Sequence, residues 1–289
     1  RTEEEGAPRP GSRAVQRIVT DSNSQLPPEL RDRYAIEVVP ITVSVNGTEY
    51  REGVDLDADA FYAFWAAGQP DISTSQPSPG AFIEVYQRLA AEGATEILSI
   101  HVSAELSGTL NSARLAAEQV DVPVRLVDTG TMSFGISCCV WEAAEAMRNG
   151  ASVEQAAVAA EKLAPAVGSV TILQALDFTR SQGRMVDQLP DGVEGIPVLA
   201  MVNGATEVVG EGRSIDALSR LMVDRMTASR EPVRVALCIA DASARPFYEA
   251  MEALLAERPN VTDLVRYRVG PSVGAFTGPG AAGGFWYGV

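Results

Sequence analysis

Two short stretches place hydroxyl groups where a helix is about to begin. In "SAELSGTLNSA" (residues 103–113) a predicted strand ends and Ser107, Gly108 and Thr109 open a helix. The first N–H groups of a helix lack partners and carry partial positive charge, so together with two hydroxyls they suit a carboxylate or a phosphate. The same residues also suit a plainer task, Ser107 capping its own helix, and residue types alone leave both open. In "DISTSQPSPGAF" (71–82), Thr74 and Ser75 precede Ser78, which is placed as N-cap with Pro79 at the first helical position. The cap does not need Thr74 and Ser75, so they belong either to a turn or to an anion site shared with Ser107.

Other candidates are narrowed by counting. The chain has one histidine, His101. A Ser–His or Cys–His arrangement must therefore use it, and a His-rich metal site is excluded. An enzyme reading makes Ser107 the nucleophile and His101 or Asp128 its base. Against that, His101 stands near the end of a predicted strand, where a packed or surface histidine is the plain reading. "LDFTRSQGRM" (176–185) reads as a connecting segment that carries Arg184. An anion in a crevice of an acidic chain needs a cation close by, and a guanidinium fits a carboxylate or a phosphate, although a loop arginine can equally be a solvated charge. "DLDADA" (55–60) begins like a calcium loop, but Ala60 and Ala66 stand where its glycine and bidentate glutamate are needed, so capping is expected. The glycine-rich "GAFTGPGAAGG" (274–284) is no Walker loop; its glycines imply close backbone approach.

The composition bounds the function class. With 289 residues, 46% of them hydrophobic, the chain is long enough for two cores. A net charge of -15 argues against a broad footprint for nucleic acid or an anionic membrane. Cys138 and Cys139 are adjacent in an apolar helical pattern and Cys238 lies in the predicted strand "VRVALCIA", so reduced thiols in a cytoplasmic protein are expected. No apolar run approaches the roughly 20 residues of a membrane helix. Residues 1–14, charged and Pro/Gly-rich, read as a disordered tail.

Strands are predicted at 16–21 and 36–45, with a hairpin turn at 46–50; helices are predicted at 57–68, capped by Asp57, and at 78–93. Further strands and helices alternate to about 165, which gives an α/β N-terminal domain (15–165) with a mainly parallel sheet covered by helices. Ligands in such domains sit beyond the carboxyl ends of the strands. From 166 the strands follow one another more closely, "SVGAF" (272–276) among them, which gives an α+β C-terminal domain (166–289) with a mixed or antiparallel sheet. The apolar helices "FYAFWAA" and "FIEVYQRL" present Phe61, Phe64, Trp65, Phe82 and Ile83, as plain core or as tunnel walls.

The order of these motifs resembles the DegV family of bacterial fatty-acid-binding proteins. The resemblance runs from "IVTDSNSQLPPEL" through "TSQPSPGAF", "SAELSGTLNSA" and "LDFTRSQGRM" to "GPSVGAFTGPGAAGGFWYG". It implies two domains with a long-chain fatty acid, of the palmitate, stearate or oleate class, buried between them. Its carboxylate would be held by residues such as Thr74, Ser75, Ser107, Gly108, Thr109, Arg184 and Thr277, without metal or other cofactor. Members of the FakB type present this carboxylate to a separate fatty-acid kinase, so the resemblance implies a lipid carrier rather than an enzyme, with transient membrane contact compatible with that role. Two positions depart from the family pattern. Gln182 replaces the first glycine of a Gly-Gly-Arg segment, and Phe276 stands where a head-group histidine is usual. A phenylalanine forfeits one contact, about 1–3 kcal/mol if buried and charge-assisted. Tail burial, at about 0.8 kcal/mol per methylene, outweighs it.

Overall fold

The protein is described by a computed structural model covering residues 15–182, 195–202 and 205–289. The tail read at 1–14 and Arg184 lie outside the described residues. The first part of the chain forms β1 (Gln16–Asp21), α1 (Pro28–Tyr34), β2 (Glu37–Val39), β3 (Thr42–Val45), β4 (Thr48–Arg51), α2 (Ala58–Ala63) and β5 (Ile72–Ser75). There follow α3 (Pro79–Ala91), β6 (Glu96–His101), α4 (Thr109–Ala117), β7 (Val124–Asp128), α5 (Phe134–Arg148), α6 (Val153–Leu163) and β8 (Gly168–Ile172). The last part forms α7 (Leu176–Ser181), β9 (Ile196–Val202), β10 (Ala205–Gly212), α8 (Ile215–Met226), β11 (Val233–Ile239), α9 (Arg245–Ala256), β12 (Val261–Arg268), α10 (Pro271–Thr277) and β13 (Ala282–Gly288).

Side-chain alternation layers the first half. The parallel sheet has the order β2-β1-β6-β7. Val19 and Ile97 face α3 and α4, packing on Phe82, Tyr86 and Leu89, while their neighbours Ile18 and Leu98 face α5 and α6. Successive strand residues point to opposite faces, so both faces need helices, as the α/β reading requires.

A small antiparallel sheet, β4-β3-β5, stands beside it. Its hairpin turns at Asn46-Gly47, both at positive φ (51° and 80°), which matches the predicted turn. Residues 36–45, expected as one strand, are two strands in different sheets: the break falls at Pro40, which has no N–H to give a ladder. The hydroxyl stretch at 72–75 is itself a strand, with Thr74 opposite Val43.

The second half builds a mixed six-stranded sheet, β10-β9-β8-β13-β11-β12, antiparallel at every pairing except β11 with β12. Helices α8 and α9 cover one face through Leu218, Met222, Phe247 and Met251. The other face meets α5, which buries apolar residues on two sides: Ile136, Cys139 and Val140 pack on the first sheet, and Phe134, Cys138 and Trp141 join the core on the second. Phe134 stacks on Tyr267 of β12 with ring centroids 4.7 Å apart.

Two segments differ from expectation. The "SVGAF" stretch is the helix α10, not a strand, because Gly270-Pro271 supplies a cap and a first-turn proline. The "LDFT" stretch is the short helix α7 rather than a loop. Helix α10 seats against α2 through Gly274, where an added Cβ would lie 2.6 Å from both Phe61 Cε1 and Tyr62 Oη. Alanine normally stabilises a helix interior by about 1 kcal/mol relative to glycine. Here Gly274→Ala is expected to destabilise by about 1–3 kcal/mol through overpacking. Urea unfolding checks this, and an unchanged or raised midpoint would refute the seating.

Candidate functional site

The loops that leave the carboxyl ends of β1, β6 and β7 converge with β5 and with α10. Between them lies a cleft of about 380 Å³, lined by Asn23, Thr74, Ser75, Gln76, Ser107 and Gly108 on one side and by Ser272, Val273, Phe276 and Thr277 of α10 on the other. The cleft therefore lies where the sheet rule places ligands. The two hydroxyl stretches come together here, 33 residues apart in sequence between Thr74 and Ser107.

Each hydroxyl has a local reason for its place. Ser107 Oγ accepts from Thr109 N at 3.2 Å and lies 2.9 Å from Thr109 Oγ1, so Ser107 satisfies the helix start and lines the cleft at once. Thr109 is fully buried behind it. Ser78 caps α3 by accepting from Ala81 N at 3.2 Å, which leaves Thr74 and Ser75 for the cleft. The Gln76 amide lies over Gly108, 2.3 Å from where a Cβ would stand, so a larger residue there would displace the Gln76 side chain.

A second, apolar cavity of about 100 Å³ adjoins the cleft against the six-stranded sheet. Met132, Val273 and Thr277 line both; Val170, Leu199 and Phe285 are among the apolar groups further in. Phe61, Phe64, Trp65, Phe82 and Ile83 line neither cavity. Their rings have partners instead: Phe61 and Trp65 meet edge-on at 5.2 Å, Trp65 meets Phe178 at 5.4 Å, and Phe82 meets His101 at 5.1 Å. Phe64 packs near Tyr50, with ring centroids 6.3 Å apart, and Ile83 packs against the core under α3. Asn23, Gln76, Met132 and Ser272 were not singled out from sequence. Asn23, two residues past the end of β1, could have been found by the strand-end rule; the others depend on packing.

His101 does not serve Ser107. It is fully buried, with Nδ1 2.9 Å from Asp21 Oδ2 and Nε2 2.7 Å from Ser99 Oγ, which in turn lies 2.8 Å from Tyr86 Oη. Asp21 also accepts from Val102 N at 3.1 Å and from Asn23 N at 3.0 Å, and an ionised carboxylate there accepts the Nδ1–H of His101 as a third hydrogen bond. Asp128 accepts from Ala104 N and Gly130 N at 3.3 and 2.9 Å. Both bases named for an enzyme reading are thus occupied by structural hydrogen bonds. Among the described residues no cluster could hold a metal, and no helix is long and apolar enough to cross a membrane. The three cysteines are free and buried, and burial pushes the Cys238 thiol up to about 11.

The cleft lining contains no charged side chain among the described residues; a carboxyl group stands behind α10. Buried Glu52 accepts from Ser272 N at 2.8 Å, from Gln25 Nε2 at 3.3 Å and from the Ser22 hydroxyl, and so fastens the start of α10. Gln25 Oε1 accepts from Gly270 N at 2.5 Å.

With this geometry in hand, the chain matches the model of the DegV family, described as uncharacterised proteins, over residues 16–288. The chain belongs to the DegV family. A DegV domain-containing protein of Streptomyces coelicolor is 35% identical over 274 residues, covering 92% of this chain and 96% of the relative. A solved DegV family protein from Thermus thermophilus, described by its fatty-acid binding, is 31% identical with a TM-score of 0.83, covering 95% of this chain and all of that one (100%). DegV of Bacillus subtilis, described as a fatty acid binding protein, is 26% identical with a TM-score of 0.83, covering 96% and 100% of the two chains. The two-domain DegV architecture is thus the fold of this chain.

Two predictions follow from the buried polar groups. His101→Ala removes a donor to Asp21 and a partner of Ser99 in a closed core, and is expected to lower unfolding free energy by about 2–5 kcal/mol; a urea midpoint equal to the wild type would contradict this. Burial raises the Glu52 carboxyl above its ordinary value, its hydrogen bonds opposing only in part. A raised folded-state value means that the stability carried by the protonated form is fully present below the ordinary pKa of about 4.3 and is lost as pH rises through the raised one. Glu52→Gln, fixed in the neutral form, should match the wild type near pH 4 and exceed it at pH 8. A variant less stable at pH 8 than at pH 4, relative to wild type, would reverse the sign.

Proposed function

We propose that this protein binds one long-chain fatty acid, with the carboxylate in the cleft between Thr74 and Ser107 and the tail directed past Met132 and Val273 into the apolar cavity. The observation that carries this reading is the adjacency of two spaces: a cleft that sets hydroxyl and amide groups among apolar side chains and a more apolar cavity beside it, with Met132, Val273 and Thr277 in the walls of both. An amphiphile with a small polar head matches that sequence of surfaces. The Thermus relative, at 31% identity over nearly the whole chain, is described by fatty-acid binding, which supports the same assignment.

The residue roles extend the proposal. Thr74, Ser75, Ser107, Gly108 and Thr277 meet the head group, Thr109 backs Ser107, Arg184 supplies the counter-charge, and Phe276 closes the cleft with a ring in place of a donor. The lobes are residues 15–165 and 166–289. The protein acts as a cytoplasmic carrier of palmitate, stearate or oleate class chains and presents the carboxylate, at the mouth, to a partner fatty-acid kinase. Mixing the loaded protein with such a kinase and ATP tests that partner through acyl-phosphate formation.

Mass spectrometry of an organic extract of the purified protein should show co-purified fatty acid, and added palmitate or oleate should bind. Ser107→Ala and Thr74→Val should each weaken palmitate by about tenfold to a hundredfold, the loss of a hydrogen bond to a charged group. A protein that yields no lipid and binds neither acid would sink the reading.

A further inference from the structure

Asn23 is held at its backbone N–H and at both ends of its side-chain amide. Its backbone N–H donates to Asp21 Oδ1 at 3.0 Å, and Asp21 is itself held by His101 and Val102 N at its other oxygen. Its side-chain oxygen accepts from Ser133 N at 3.0 Å. A backbone N–H can only donate, so the oxygen must face Ser133 and the NH2 group must face the other way. There Asn23 Nδ2 donates to Ser272 Oγ at 3.3 Å, at the start of α10.

An amide NH2 has two protons, and Ser272 takes one. The second has no partner among the described residues, while the Asn23 side chain lines the cleft together with Thr74, Ser107 and Thr277. Ser272 is in no position to turn the amide around: its oxygen also receives Gln25 Nε2 at 3.3 Å, and its N–H is taken by Glu52. The amide is thus presented as a donor, held in orientation from both sides before any ligand arrives.

We infer that Asn23 is a specificity-determining residue for the head group: its spare N–H donates to an oxygen of an anionic ligand and selects a carboxylate over an uncharged head of the same chain length. The inference rests on the fatty-acid reading above. A donor of fixed orientation favours an anion more than a hydroxyl, because hydrogen bonds to charged groups are the stronger ones. The constraint from Ser133 also makes the residue type decisive. Aspartate at this position would still accept from Ser133 N, yet would turn an acceptor and a negative charge toward the cleft.

The test compares palmitate with hexadecanol on one protein, by displacement of a fluorescent lipid probe at pH 8. Asn23→Asp is expected to weaken palmitate at least about thirtyfold, from the lost charge-assisted bond and the added repulsion, and hexadecanol by less than about threefold. Asn23→Ala should weaken palmitate by about tenfold with the same sparing of the alcohol. Because the readout is a ratio of two ligands on the same variant, loss of folded protein does not mimic it. Equal weakening of both ligands, or no weakening of palmitate, would overturn the role of Asn23 while leaving fatty-acid binding intact. A wild-type protein that binds neither palmitate nor oleate would overturn the reading beneath it.

Discussion

The carboxylate of Asp21 has no exposure to water, and three donors reach it: the imidazole of His101, the N–H of Val102 and the N–H of Asn23. A buried charge is tolerated only when it is fully hydrogen-bonded, so these partners are obligatory. Their effect is to tie the carboxyl ends of two adjacent parallel strands, β1 and β6, to one point. Both strand ends feed the cleft directly, through Asn23 and through the loop that leads to Ser107. Ser99 and Tyr86 extend the same chain of hydrogen bonds toward α3. The rigidity of one wall of the site therefore derives from a polar core rather than from an apolar one.

The facing wall is α10, and it is positioned by different physics. Its first turn is fastened by Glu52 and Gln25 from the first half of the chain, its middle by the rings of Phe61 and Tyr62, and its end by Thr179 of α7, whose hydroxyl donates to Thr277 O at 3.3 Å. A seven-residue helix has little stability of its own. Its place is set almost wholly by what surrounds it, and so the distance across the cleft depends on how the two halves pack.

The chemistry of the cleft follows from these two walls. The described lining sets hydroxyls and amides among apolar side chains and carries no charge, in a chain whose formal net charge is -15. Donors that are already oriented bind an anion without the reorganisation that water would require. In the proposed complex an acyl tail would supply the larger share of binding energy, since that share grows with each buried methylene whereas the head group contributes only once. One phenylalanine at position 276 is compatible with that division.

The sequence alone determined what is local. The alternation of Ile18 with Val19 and of Ile97 with Leu98 requires a sheet covered on both faces, Ser78-Pro79 marks the start of α3, and Asn46-Gly47 marks the hairpin. Thr74, Ser107 and Thr277, marked by motifs that carry spacing and residue type together, all line the cleft. Only the tertiary structure decided the rest. Pro40 divides one apparent strand between two sheets, and Gly270-Pro271 turns an apparent strand into the helix that walls the cleft. The Phe61 and Trp65 stripe faces aromatic partners and α10 and lines neither cavity, a choice that no helical periodicity encodes. Asn23, Ser133 and Ser272 are far apart along the chain, and the direction of the Asn23 amide exists only once all three have met. Local patterns report which face of an element is buried; they carry no record of what is buried against it.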